Sequence, residues 1–555
     1  MMSFYIRCID CGHVTSFLPN EVQCPKCNSQ WREALYPYDE IALIFRDRLA
    51  NRRSDLWRYK ELLPIHNPIP VLKMGEGGTP MIQAENLGLM LGCPNIFIKD
   101  ERQGPTSSFK DRQAAVTIAA LKEAGITEMV AASTGNVAIS YSAYAARAGI
   151  KLWAFVTSLV PEVKMREIAL YGSQVVKVTG SYDETKKIAA EFAEQRGLYL
   201  DRGARTITST EAMKTISFEI AEQLTELRGA PKDSKACWRV PDWYVQSISG
   251  GLGPIGISKG FREMVKMGLT DRVPAIAGIQ AEGCAPMVHA WQQDREVAEP
   301  VNDPKTHIET LATGTPGRTY TLLRNMFKET GGLFESVTDE EAYRAMNILA
   351  KLEGISAEPA AAVAFAGVFK LIRAEVIKPS DVVVISCSGH TMPAEPLALG
   401  SGWSRDVAMS KDEEDKPREE GLLAALNDVS PERFPRVVIV DDSVDARRLI
   451  RRILQSQGEY TFFEAVNGRE ALELVKKEHP DLIILDLMMP EVDGFAVLDV
   501  LKTNPATAQI PVIVSTAKEL TPAEKTRLQG QIQALMQKGN FMSDELLEEV
   551  KSLLQ

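Results

Sequence analysis

Pro105-Thr106-Ser107-Ser108-Phe109-Lys110-Asp111-Arg112 leads into a helical stretch, Asp111 to Ala124, and lies between two short apolar runs, Ile96-Phe97-Ile98 and Met129-Val130-Ala131-Ala132. Strand, helix and strand in that order imply a crossover connection, and repeated crossovers imply parallel sheets covered on both faces. The alternation continues outward through Leu152-Trp153-Ala154-Phe155-Val156, Val175-Val176-Lys177-Val178 and Val382-Val383-Val384-Ile385-Ser386, with helical stretches such as Glu184 to Gln195 between them. From about Asn67 to Gly402 this reads as one large α/β region of two sub-domains. A lone Ser-Phe-Lys would mean little, because most lysines are surface residues. Lys110, however, opens its helix, so a rigid element presents its amine.

Three further segments turn that lysine into a constellation. Ser249-Gly250-Gly251-Leu252-Gly253-Pro254-Ile255-Gly256 follows the apolar run Trp243 to Ile248 and precedes a helix through Phe261. Glycines let backbone amides approach an anion closely, and the dipole of the following helix favours negative charge. Alone, such a cluster could be any strand-to-helix turn. Ala132-Ser133-Thr134-Gly135-Asn136 ends another apolar run at a helix start. A plain N-cap would explain Ser133 or Thr134, but not Asn136. Ser386-Cys387-Ser388-Gly389-His390 ends the last strand of the region.

In this order and at these distances, the segments resemble the threonine synthase group of fold-type II pyridoxal-phosphate (PLP) enzymes, whose catalytic fold is of the tryptophan synthase β type. The resemblance spans roughly residues 1 to 402 and extends to Gly75-Glu76-Gly77-Gly78-Thr79-Pro80 and Glu353-Gly354-Ile355-Ser356-Ala357-Glu358-Pro359-Ala360. It implies that Lys110 holds the cofactor through its amine and later removes the substrate α-proton. It implies cofactor contacts from Asn136, from Gly250, Gly251, Leu252 and Gly253 on the phosphate, and from the Ser388 hydroxyl on the ring nitrogen. Ser133, Thr134 and Gly135 would grip the substrate carboxylate. The implied reaction is β- or γ-elimination or replacement on an amino acid, foremost O-phosphohomoserine to threonine. Threonine or serine dehydration and cysteate synthesis are alternatives.

Two stretches depart from that family. Gly180-Ser181-Tyr182-Asp183-Glu184 stands where Gly-Asn-Phe-Asp-Asp is usual, and Thr206 to Thr215 lacks the Asn-Pro-x-Arg that precedes Glu-Gly-Gln-Lys-Thr in relatives. An asparagine and an arginine used on the substrate phosphate are thereby lost. Serine does not replace an arginine where bidentate recognition of an anion is needed.

Cys8-x-x-Cys11, twelve residues, then Cys24-x-x-Cys27 precede this region. Two thiolate pairs on tight turns can close a tetrahedron around Zn²⁺, and Gly12 and Pro25 suit the bends. A closed four-sulfur site is structural, and His13 reads as a bystander. Disulfides are the competing reading. Four other cysteines are scattered, a usage that fits a reducing cytoplasm.

Arg436 to Gln555 again alternates strand and helix about five times, with buried-type strands at Val437-Val438-Ile439-Val440, Leu482-Ile483-Ile484-Leu485 and Val512-Ile513-Val514. Asp441 and Asp442 end the first strand, Asp486 the third, Thr516 the fourth and Lys538 the fifth. Strand C-termini of a doubly wound sheet converge on one edge, where ligands bind. Carboxylates there make an oxygen site for Mg²⁺. This segment resembles the flavodoxin-like (βα)5 receiver domain of response regulators. The resemblance implies Asp486 as phosphoryl acceptor, Thr516 and Lys538 on the phosphoryl oxygens, and Mg²⁺ held by Asp441, Asp442, Asp486 and the Met488 carbonyl. Gly539 stands where the family usually has proline, and Leu535 lies near the usual aromatic switch position.

The expected division is a zinc ribbon over 1–35, a PLP catalytic domain over 36–402, an acidic linker over 403–435 and a receiver over 436–555. The chain has 555 residues, 45% of them hydrophobic, and a net charge of −11, which argues against a general nucleic-acid binder. No apolar stretch is long enough to span a membrane, and the N-terminus lacks the core of a secretory signal. The expected setting is the cytoplasm, as a homodimer. The expected partners are an amino-acid substrate and a sensor histidine kinase or phosphotransfer protein. A competing class is a signalling protein whose PLP region senses an amino acid without turnover.

Overall fold

A computed structural model of the chain describes residues 4–66, 72–133, 135–157, 160, 162–179, 181–231, 236–390, 434–455, 460–518, 520–537 and 543–554. They form two compact units: residues up to 390, apart from 85–94 and 351–355, make the first, and those two segments group with residues from 434 onward in the second. Thr134, Gly180, Lys538, Gly539 and nearly all of the expected linker lie outside the described residues.

The first unit opens on a small antiparallel sheet in which β1 (Tyr5–Cys8) pairs with both β2 (Val14–Thr15) and β3 (Arg32–Leu35). Alternation in β1 buries Ile6 and Cys8 and exposes Tyr5 and Arg7. A six-stranded sheet follows. It contains β4 (Met81–Gln83), β5 (Ile96–Asp100), β10 (Trp243–Ser247), β11 (Ala275–Ala281), β12 (Leu333–Val337) and β13 (Val383–Cys387), ordered β12-β11-β10-β13-β5-β4. All neighbours are parallel except β4, which runs antiparallel at the edge. β5, β10 and β13 are buried at every position, as strands covered by helices on both faces must be.

A separate four-stranded parallel sheet holds β6 (Glu128–Ser133), β7 (Lys151–Thr157), β8 (Gln174–Val178) and β9 (Tyr199–Leu200), ordered β8-β7-β6-β9. Two sheets give the two sub-domains expected from sequence. The helix Lys110–Glu123 serves both. Its apolar side, Ala114 to Leu121, packs in one core with Tyr141, Tyr144, Leu152 and Val156 of the smaller sheet and its helix.

Its first turn is tied instead to the larger sheet through Arg112. That guanidinium is fully buried and bonds Glu101 at 2.7 and 2.8 Å and Glu219 at 2.6 and 2.8 Å. Lys99 on β5 completes the cluster, 2.7 Å from Glu219. Two cations against two carboxylates leave no net charge, which makes burial of all four tolerable.

The second unit carries a five-stranded parallel sheet of β14 (Arg436–Val440), β15 (Thr461–Ala465), β16 (Leu482–Leu485), β17 (Val512–Thr516) and β18 (Ala534–Gln537), ordered β15-β14-β16-β17-β18. This is the doubly wound order in which chain direction switches between the first and third strands, opening a crevice at their C-terminal ends. Leu535 sits half-exposed on β18.

Candidate active site

Four strand ends of the first unit converge. β5 leads to Lys110, β6 to Asn136, β10 to the glycine run and β13 to Ser388. One cavity of about 770 Å³ is lined by Lys110, Asn136, Gly250, Gly251, Leu252, Gly253 and Ser388. Seven of the ten residues expected at the cofactor and substrate sites therefore share one wall.

Lys110 is the first residue of its helix and is held from both sides. The Phe109 amide donates to the Ser388 carbonyl at 3.0 Å, and the His390 amide to the Ser107 carbonyl at 3.1 Å. Its Nζ lies 4.2 Å from the Phe109 ring centroid. Burial pulls the ammonium down to about 8, with the Asp201 and Glu358 carboxylates opposing the shift. A lysine so placed offers a neutral amine near neutral pH, as a nucleophile must.

Gly251 has φ 80°, and a Cβ there would fall 2.7 Å from both Leu323 and Thr319 side-chain atoms, so only glycine fits. It starts the fifteen-residue helix Leu252–Lys266, whose N-terminus no side chain caps. The first-turn amides are thus available to a ligand at the positive end of the helix dipole.

Asn136 is fixed by charge. Its Oδ1 accepts from Lys164 Nζ at 2.9 Å, and its Nδ2 donates to Glu358 at 2.9 and 3.1 Å. Ser133 turns away from the cavity. Its Oγ accepts from the Gly135 and Ala138 amides at 3.0 and 3.1 Å, the work of a helix cap. Ser133 and Gly135 are not among the lining residues, and Thr134 lies outside the described ones. Ser209 is buried, bonds Asp201 at 3.3 Å and is not among the residues lining the cavity.

Sequence reading did not single out Asp201, Lys164, Gln30 or Trp31. Glu358 lay in a quoted loop but was given no role. Each reaches the site from a distant segment, so no local pattern marks it.

These residues fit PLP on the structure's own terms. There is a buried amine of lowered pKa, an uncapped glycine-rich helix start for a phosphate, and a hydroxyl at the end of β13. Gln113 Oε1, one turn after Lys110 and on the same cavity, is buried without a hydrogen-bond partner among the described residues.

The four ribbon cysteines are unbridged. Their sulfurs approach to 3.5 Å (Cys8 to Cys27) and 3.6 Å (Cys11 to Cys24), and all four ligand atoms lie within 4.8 Å of one another. A disulfide needs about 2.05 Å, whereas sulfurs about 2.3 Å from one tetrahedral ion sit farther apart. Matching turns build the two knuckles, with Gly12 donating to Cys8 at 3.0 Å and Asn28 to Cys24 at 2.8 Å.

In the second unit, carboxylate oxygens of Asp441, Asp442 and Asp486 also lie within 4.8 Å of one another, at the switch point of the sheet. Backbone amides orient two of them: Ser443 donates to Asp441 at 2.9 Å and Met488 to Asp486 at 3.1 Å. Gly494 is required beside Asp486, because a Cβ there would meet the Asp486 carbonyl at 2.3 Å. Thr516 ends β17, and its Oγ1 accepts from the Lys518 amide at 3.2 Å, leaving the hydroxyl proton to donate.

The chain belongs to the pyridoxal-phosphate dependent enzymes, whose family profile matches residues 72–389. It is a PLP-dependent lyase. Residues 437–551 match the response regulator receiver domain, so the enzyme carries that domain at its C-terminal side. The chain is 33% identical over 399 residues to the threonine synthase of Methanocaldococcus jannaschii, covering 71% of this chain and 94% of that one. It is 32% identical over 392 residues to the threonine synthase of Methanosarcina acetivorans, covering 70% and 92%. The threonine synthase of Halalkalibacterium halodurans is 29% identical over 371 residues, covering 66% and 97%. Among the described residues no helix is long and apolar enough to cross a membrane.

Proposed function

We propose that the chain is a threonine synthase-like lyase acting on an amino acid, with O-phosphohomoserine to threonine as its leading reaction, and that phosphorylation of its receiver domain regulates it. The observation that carries this is the meeting of Lys110, Asn136, the Gly250–Gly253 run and Ser388 on one cavity. Bound there, the cofactor would supply a ring that stores the electron pair left when the substrate α-proton departs. Lys110 would hold the cofactor through its amine, and its buried position makes it the base placed to take the substrate α-proton and to return a proton to the substrate. The uncapped helix start at Gly251 to Gly253 would hold the phosphate. Asn136, braced by Lys164 and Glu358, would contact the cofactor ring, and the Ser388 hydroxyl would be its partner at the ring nitrogen, a group that does not force protonation.

Zinc in the four-cysteine site would hold the ribbon. Mg²⁺ at Asp441, Asp442 and Asp486, completed by the Met488 carbonyl, would neutralise charge as Asp486 accepts phosphate. Thr516 and Lys538 would contact the transferred group.

The purified chain, loaded with PLP, is offered O-phosphohomoserine, O-phosphoserine, serine and threonine. Threonine and inorganic phosphate from the first is the expected outcome. Failure to turn over any of the four would favour the amino-acid sensor instead. Equal rates with and without acetyl phosphate would sink the regulatory part.

A further inference from the structure

Positive charge at the cavity exceeds what the chemistry above employs. Among the charged side chains lining it, six are cationic and three are carboxylates, on a chain of net charge −11. Lys110 is committed to the cofactor. Lys186 pairs with Asp183 at 2.5 Å, and Arg318 with Asp10 of the ribbon. Arg202, Arg205 and the exposed Lys187 remain.

The two arginines are poorly compensated. Arg202 Nε is buried with no hydrogen-bond partner among the described residues. Arg205 donates from Nη1 to Gln30 Oε1 at 2.7 Å, a neutral amide rather than a carboxylate. Partial desolvation and the neighbouring Arg202 charge both pull the Arg205 pKa down, with Asp201 opposing. Arg202 is half-buried and Arg205 exposed, so solvent still reaches the pair, but two like charges side by side repel until an anion joins them. Gln30 and Trp31 of the ribbon line this same cavity. The ribbon is therefore part of the active-site wall.

We propose that Arg202 and Arg205, the latter held by Gln30, form a subsite for an anionic group at the far end of the amino-acid substrate. This rests on the cavity being the PLP site. The planar guanidinium fork suits a phosphate or a carboxylate, and it supplies from the loop before residue 206 the charge that Ser209 lacks. The ribbon thereby takes part in choosing the substrate.

Calorimetry on the PLP-loaded full chain tests this with O-phospho-L-homoserine, O-phospho-L-serine, L-glutamate and the neutral L-homoserine. The unsubstituted chain should bind at least one anionic probe about tenfold or more tighter than L-homoserine, as charge-assisted hydrogen bonds require. Arg205→Gln should cut that ratio about ten- to hundredfold. Gln30→Glu keeps the arginine but gives it a fixed counter-charge, and should cut the ratio in the same direction, which loss of a merely structural residue would not do. Preference for L-glutamate would assign the subsite to carboxylates, and preference for the phosphorylated probes to phosphates. Both support it. An unchanged ratio in both variants, or no preference for any anion in the unsubstituted chain, overturns it. Cofactor absorbance and turnover score the enzymatic reading separately: tight anion binding without turnover would sink that reading and leave the subsite standing.

Discussion

The acid–base behaviour of Lys110 gives the sharpest test of the site. Its environment holds the ammonium at about 8, because burial outweighs the attraction of Asp201 and Glu358. Only the neutral amine attacks an aldehyde. With that midpoint, about a tenth of the chains carry a neutral amine at pH 7 and about nine-tenths at pH 9, a rise of roughly tenfold that levels off. A lysine at its ordinary value near 10.4 would instead show a rise of about a hundredfold over the same interval, with no plateau. Stopped-flow mixing of apoprotein with limiting PLP, following growth of the visible absorption of the linked cofactor, measures this profile. Glu358→Gln removes an opposite charge and should move the midpoint to lower pH. The sign for stability follows too. Between about 8 and the ordinary lysine range the unfolded chain still binds this proton and the native state does not, so the group makes folding more favourable as pH rises there. Uptake that climbs without a plateau through pH 10 would refute the claim that burial tunes this amine.

Glu219→Gln should destabilise the first unit by about 3–5 kcal/mol, because it leaves Arg112 and Lys99 buried against Glu101 alone. Denaturant unfolding reads this, and a loss under about 1 kcal/mol would mean the cluster is not buried as described. The carboxyl is held well below its ordinary range by Arg112 and Lys99, so its stabilisation is present at neutral pH and fades only as acid protonates it. Gly251→Val should weaken PLP binding about tenfold or more through left-handed strain and contact with Leu323 and Thr319; fluorescence titration gives the constant, and unchanged affinity would remove the helix start from the phosphate site. Asp486→Asn should abolish phosphate incorporation from acetyl phosphate, seen on a phosphate-retarding gel, while Asp499→Asn, an exposed carboxylate on the helix Gly494–Thr503 paired with Arg527, should not. Elemental analysis should find one zinc per chain, lost in Cys24→Ser.

The strands were legible wherever burial on both faces leaves a plain apolar run. Ile96 to Ile98 falls inside β5, Leu482 to Leu485 is β16, and Val437 to Val440 falls inside β14. Helix limits moved by a residue or two, with Glu184 to Gln195 extending to Tyr182–Arg196 once Ser181 and Glu184 close a capping box. Two sub-domains were expected, but which strand joins which sheet could not be read. β13 pairs with β5 across nearly the whole catalytic region, Val383 opposite Ile96, and nothing local announces that register. The same holds for Arg205 meeting Gln30, and for Asn136 held between Lys164 and Glu358. Motifs that bring their own backbone geometry, such as the glycine run, survive translation into sequence. Side chains recruited singly across the fold do not.

The double allegiance of the helix Lys110–Glu123 limits how the active site can move. Its leading turn is riveted to β5 and its neighbours by Arg112, while its flank is embedded in the smaller sub-domain. Neither half can slide away without dragging that rod. A closure that swung about this helix as an axle would leave the Lys110 amine near the pivot, while Asn136 would have to give up its bonds to Glu358 to move with the smaller half.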